Sequence, residues 1–129
     1  MLILALELSS PRASLALLED ERVLAEETWA DAGPRSLCLF DRLEALLRRV
    51  GVAPGAVVAY AVGRGPGSYT GLRVALTVAQ ALALPAGRPV WAVSSGAALA
   101  AEVFAAEDVE RLAVVGDARR DRLWHGLFE

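Results

Sequence analysis

This sequence predicts an α/β fold: a mixed five-stranded sheet, made of a three-stranded meander plus two parallel strands, flanked by helices. Three observations carry the prediction. Residues 2–8, 13–18 and 22–29 are short apolar segments separated by turn residues, the pattern of an antiparallel meander. Beyond them, stretches with helical spacing at 36–50, 72–84 and 96–106 alternate with apolar runs at 57–62 and 90–93, as in strands joined by helices. Hydrophobic residues make up 55% of the 129 and aromatics only 6%, so the core must be built from Ala, Leu and Val rather than from rings.

In the first segment Leu2, Leu4, Leu6 and Leu8 alternate with Ile3, Ala5, Glu7 and Ser9, so one face is strongly apolar and the other turns polar toward its end. Ser9-Ser10-Pro11 breaks this strand, and Glu19-Asp20-Glu21 makes a charged turn between the next two. Ala32-Gly33-Pro34 is a linker, and Pro34 or Ser36 starts a helix. Within that helix Leu39, Leu43, Leu46 and Val50 recur at helical spacing, while Leu37, Phe40 and Leu47 widen the apolar stripe. Gly51 is a natural C-cap with Pro54 just beyond it, and the run 57–62 suits a strand buried on both faces.

The helix over 72–84 has Arg73, Thr77 and Gln80 as its only polar positions, and Pro85 and Gly87 end it. Ser94-Ser95 caps the helix over 96–106. A final hairpin runs from 112–116 through Asp117-Ala118-Arg119-Arg120-Asp121 to 122–128. The order of three strands, helix, strand, helix, strand, helix is that of a ribonuclease-H-like, or actin-like ATPase, half-domain. The last hairpin echoes the first, which divides the chain into 1–108, an actin-like N-terminal domain, and 109–129, the opening hairpin of a curtailed second half.

Charge and residue inventory exclude several function classes. Net charge is −3, and the basic residues cluster only at Arg119, Arg120 and Arg122, whereas a free-standing nucleic-acid binder shows a basic stripe. All thirteen basic residues are arginine, which excludes a lysine Schiff base, a lysine nucleophile and a GxxxxGK[ST] phosphate loop. The single Cys38 reads as a small buried hydrophobe, and one cysteine makes no intrachain disulfide. Glu7 interrupts the apolar start and no basic region precedes it, so residues 1–6 do not read as a signal peptide. No run reaches the roughly 18 apolar residues of a membrane helix. The expectation is a soluble, cytoplasmic protein.

Chemistry is concentrated in the run Gly63-Arg64-Gly65-Pro66-Gly67-Ser68-Tyr69-Thr70-Gly71-Leu72-Arg73, a strand-loop-helix junction with four glycines in nine residues. Backbone N–H groups at such a helix start attract anions. The candidate anion or nucleotide contacts are Gly65, Gly67, Ser68, Thr70, Gly71 and Arg73, joined by Glu7 at the end of the first strand. A purely structural reading has the glycines shape the turn and Thr70 cap the helix. ATP or ADP is compatible with the loop, but no cofactor is required. Two metals of a ribonuclease-H-like nuclease need several carboxylates, and Glu7 and Asp117 are too few. His125 and the distant Cys38 do not make a zinc site, and Ser68 has no base beside it, so no catalytic residue and no metal ligand is assigned.

Two helices, 36–50 and 72–84, are too apolar to be satisfied by one packed face. Side by side they could dock onto an equivalent pair as an intermolecular four-helix bundle, with Leu37, Phe40, Leu47, Ala75 and Ala79 as contacts.

The Gly63 to Arg73 run is read together with Leu2 to Leu8, Ser9-Ser10, Pro89-Val90, Val93-Ser94-Ser95 and Asp117-Ala118-Arg119. In these residues the chain resembles the bacterial TsaB (YeaZ) family, which takes part in threonylcarbamoyladenosine (t6A) modification of tRNA. The resemblance spans the whole chain, and its GPGS[FY]TGLR run is far more specific than a lone GxGxxG. Departures are Glu7 where the family usually has Asp, which disfavours a metal-positioning role there, Arg35-Ser36 where a His-Ser pair is usual, and a shorter length, as of a short or truncated member. The resemblance implies an actin-like fold and a non-catalytic role. It also implies use of the helical face to bind TsaD, or to form a homodimer when alone, with tRNA reached only through the complex. The alternative from another class is an ATP-hydrolysing or phosphotransfer enzyme on the same fold.

Overall fold

The computed structural model describes the backbone of residues 1–30 and 35–129 and the side chains of residues 1–30 and 38–129. The linker read at Ala32-Gly33-Pro34, the Arg35-Ser36 pair as side chains and the candidate contact Leu37 lie outside the described residues.

At the centre of the larger sheet is β1 (Leu2–Glu7), paired antiparallel with β2 (Arg12–Glu19) and parallel with β4 (Ala59–Gly63). β3 (Arg22–Ala30) extends the antiparallel side and β5 (Val90–Val93) the parallel side, giving the order β3-β2-β1-β4-β5. This is the mixed five-stranded sheet that the element order predicts. The helices are α1 (Arg35–Arg49), α2 (Tyr69–Ala83) and α3 (Ser95–Ala106). β6 (Leu112–Arg119) and β7 (Arg122–Phe128) form a separate two-stranded sheet that packs against α3. No helix among the described residues is long and apolar enough to cross a membrane.

Register explains where the core lies. Leu4 faces Leu17 on β2 and Tyr60 on β4, and Leu6 faces Leu15 and Val62, so one continuous apolar face runs across three strands. Leu39, Leu43 and Leu46 of α1 and Ala75, Val78, Ala79 and Ala83 of α2 close over it. The opposite face carries Ala5 between Ala16 and Ala61, small residues that are only half-buried. The expectation that residues 57–62 are buried on both faces holds in part: the strand starts at Ala59, and Val57, Ala59, Tyr60 and Val62 are buried, whereas Ala61 and Gly63, toward the end of β4, are half-buried on the opened face.

Helix ends follow local chemistry. Gly51, at φ +68°, ends α1, with its N–H donating to the Arg48 carbonyl and the Val52 N–H to that of Leu47. This pair of bonds is a Schellman closure, which a glycine accepts without strain. α2 begins at Tyr69, a turn before the predicted start, because Ser68 caps it by accepting from the Gly71 N–H at 3.4 Å. Thr70, predicted as the cap, is instead an exposed residue of the first turn.

Three of the contacts assigned to a partner belong to the core. Ala75 is 1%, Ala79 0% and Leu47 6% exposed. The small alanines bring α2 close to its own β4 and β1 rather than to another molecule. Ala79→Leu should therefore overpack the sheet and cost about 1–3 kcal/mol of stability. The measurement is urea unfolding at dilution low enough that association does not contribute. A variant as stable as the parent chain would show that Ala79 does not sit against the sheet.

Candidate functional site

Three chain segments meet at the C-terminal ends of β1, β4 and β5, and one carboxylate joins them. Glu7 Oε1 accepts from the Ser9 N–H at 2.7 Å, and Glu7 Oε2 accepts from the Ser95 hydroxyl at 2.5 Å. The same Ser95 Oγ accepts from the Gly65 N–H at 3.1 Å, while the Ser95 N–H donates to the Gly65 carbonyl at 3.0 Å. Ser9 in turn accepts from the Ser68 N–H at 2.6 Å, which brings the start of α2 into the same junction. Arg64 N–H donates to Val93 O at 2.8 Å and ties the loop to β5.

Two glycines make this crossing possible. An added Cβ at Gly63 would overlap Glu7 Oε2 and stand 2.6 Å from Glu7 Cδ, so the carboxylate lies on the bare backbone. An added Cβ at Gly67 would stand 2.5 Å from the Ser9 carbonyl oxygen. The glycine loop is thus wrapped against the end of β1.

Next to the junction is a cleft of about 370 Å³ between the opened sheet face, α3 and β7. Ala5, Ala16 and Ala61 form its floor and Leu99 and Trp124 its apolar wall, and among the described residues Glu7 and Glu102 are the only charged side chains that line it. A second groove, of about 470 Å³, lies beside α1, with Phe40, Leu43, Leu47, Val57, Tyr60 and Leu82 among its walls and the ion pair of Glu44 and Arg48 at its rim. Burial pushes the Tyr60 phenol above its ordinary value, with Arg88 opposing, and the protonated hydroxyl donates to the Leu82 carbonyl at 3.4 Å.

The predicted anion contacts are placed as follows. Gly65, Gly67, Ser68 and Glu7 come together at the junction, where Glu7 bonds to Ser9 and Ser95, Gly65 to Ser95 and the Ser68 N–H to Ser9. The Gly71 N–H is taken by the Ser68 cap. Arg73 does not reach the cleft: its guanidinium stacks on the Tyr69 ring at 5.5 Å on the outside of α2, because helical spacing turns it away from the loop. Asp117 accepts from the Arg119 N–H at 2.6 Å and shapes the hairpin turn, where Arg119, Arg120 and Asp121 have left-handed φ. Among the described residues no three His, Cys, Asp or Glu side chains gather as a metal site. Ser9 and Ser95 were missed as site residues. Their signal was the polar end of the first strand and a doubled serine before α3, of which Ser94 is the cap and Ser95 the junction residue.

Comparison with known proteins places these features in a family. Residues 38–129 match the family model TsaD, tRNA N6-adenosine threonylcarbamoyltransferase. The chain is 33% identical over 129 residues to the tRNA threonylcarbamoyladenosine biosynthesis protein TsaB of Bacillus subtilis, covering 100% of this chain and 56% of that protein. It is 35% identical over 127 residues to TsaB of Haemophilus influenzae, covering 95% and 51%. YeaZ from Pseudomonas aeruginosa superposes with a TM-score of 0.90 at 39% identity, covering 99% of this chain and 60% of that one. The chain thus spans a little over half the length of the curated relatives it matches.

The wrapping of the loop around Ser9 predicts a contrast between two glycines. Gly67→Ala should lower stability by about 1–3 kcal/mol, since a backbone oxygen must move. Gly55→Ala, which meets nothing within 4 Å, should stay within roughly 0.5 kcal/mol of the parent. Chemical denaturation of both variants checks the difference, and equal effects would contradict the close approach.

Proposed function

The chain belongs to the bacterial TsaB (YeaZ) family, and from that premise we propose that it is a non-catalytic partner protein of the t6A machinery that modifies tRNA. It docks on TsaD through the face of α1 beside α2, pairs with its own copy when alone, and reaches tRNA only through the complex. Residues 109–129 are the opening hairpin of a second half-domain that follows the unit 1–108. The observation that carries the reading is the groove beside α1. Phe40, 52% exposed, stands at the mouth of an apolar slot lined by Leu43, Leu47, Val57 and Leu82. An aromatic beside a desolvating slot has the composition of an interface hot spot. Leu76 and Leu84, 42% and 81% exposed, extend the apolar surface along α2 and just beyond it. Leu47 takes part only as a wall of the slot, and Ala75 and Ala79 take no part.

A second reading starts from the glycine-rich strand-to-helix loop Gly63 to Arg73. It makes the chain an ATP-hydrolysing or phosphotransfer enzyme with nucleotide in the cleft. The cleft lining argues against it, because Glu7 and Glu102, with no arginine beside them among the described residues, repel bare phosphate. Steady ATP turnover by the purified chain with Mg²⁺ would establish that second reading and displace the first.

The partner reading is tested with Phe40→Asp, compared with the parent chain by sedimentation alone and mixed with TsaD. Loss of a hot-spot aromatic of about 2 kcal/mol corresponds to roughly thirtyfold weaker association. Circular dichroism should remain unchanged, since Phe40 is half outside the fold. Unaltered association by the folded variant would remove this face from the interface.

A further inference from the structure

A strand-to-helix glycine loop directs N–H groups toward the place where a ligand anion would sit. Here a carboxylate of the chain itself lies on Gly63, at the start of that loop, held by donors from outside it. The Ser9 N–H and the Ser95 hydroxyl both donate to the Glu7 carboxylate, one to each oxygen, and the Gly65 N–H supports the arrangement through Ser95 Oγ. Gly63 supplies the room, because any side chain there would overlap that carboxylate. The adjoining cleft repeats the sign of charge, with Glu102 on its wall and, among the described residues, no cationic side chain in its lining.

We propose that Glu7 is an internal ligand: its carboxylate, bound by Ser9 and Ser95 and lying on Gly63, holds the junction of β1, the glycine loop and α3 in shape and closes the cleft to phosphate-bearing molecules. The assignment concerns the chain's own fold and is independent of any partner on α1 and α2. It makes Glu7 the residue that sets the ligand preference of the cleft. Phosphate oxygens brought to the same donors would meet a carboxylate already bound there. Removing the carboxylate leaves the Ser9 N–H and the Ser95 hydroxyl as donors that an external carboxylate or phosphate can satisfy.

The test is chemical rescue. The parent chain, Glu7→Ala and Glu7→Gln are melted in sodium chloride, sodium acetate and sodium phosphate at matched ionic strength. The Glu7→Ala chain should melt below the parent in chloride and recover at least half of the lost interval in acetate or phosphate, while the parent shifts by no more than the buffers' general effect. If Glu7→Ala is unfolded in chloride, refolding in acetate is the same result. The Glu7→Gln chain should also melt below the parent, but without recovery, since its amide fills the space and presents an N–H₂ to one of the donors.

Any of three results overturns the proposal: a parent chain stabilised by phosphate as much as Glu7→Ala, a folded Glu7→Ala indifferent to acetate and phosphate, or a Glu7→Gln as stable as the parent. Should Glu7→Ala stay unfolded in every buffer, the melting point of Glu7→Gln decides alone. A depressed, anion-independent value sustains the proposal and a parental value ends it.

Discussion

The carboxylate of Glu7 accepts from two segments that are far apart in sequence, and the packing at the ends of β1, β4 and β5 follows from that pair of bonds. Through the Ser9 backbone it is one link from Ser68, the cap of α2, and through Ser95 it touches the first residue of α3. Bonds to a charged group contribute about 1.5–3 kcal/mol each against about 0.5–1.5 for neutral pairs, so the carboxylate outweighs its neighbours even after discounting for partial exposure. The N-termini of two helices are thereby registered on the sheet by one side chain.

The two sheet faces have different fates because of side-chain size. On one, Leu4, Leu6, Leu15 and Leu17 fill the space under α1 and α2 and are at most 1% exposed. On the other, Ala5, Ala16 and Ala61 stand side by side in register, and their small volume leaves the cleft beneath α3 and Trp124. The same alternation in β1 that packs a core therefore makes a floor for a cavity. Its described lining is apolar with two carboxylates, Glu7 and Glu102.

Much of the fold was legible because the controlling patterns are local. Leucines at every second position announced β1, Gly51 marked the end of α1, and the run 90–93 became β5 without a change of bounds. The partner contacts were less legible, since alanine gives no sign of which way it faces. A largely apolar helix such as α2 fits either a crowded interior or an outer interface, and the close approach of α2 to β4 decided for Ala75 and Ala79. Glu7 was singled out as a polar end of a strand, but its partner Ser95 lies 88 residues away. Nothing in one sequence pairs them, and adjacent Ser94 and Ser95 are equally good caps until a one-residue shift in helix phase separates their roles.

A glycine-rich turn before a helix invites the inference of a phosphate site, yet here the internal packing accounts for its distinctive positions. Gly63 is bare because Glu7 lies on it, Gly67 because Ser9 crosses it, and Gly65 carries a φ of +82° with Leu72 Cδ1 at 3.3 Å from where a side chain would start. These needs exist with or without a ligand. The glycines therefore report a tight crossing of three segments, and the information about ligands resides in the charge at the crossing. With Glu7 there, the Ser9 N–H and the Ser95 hydroxyl are already answered from within the fold.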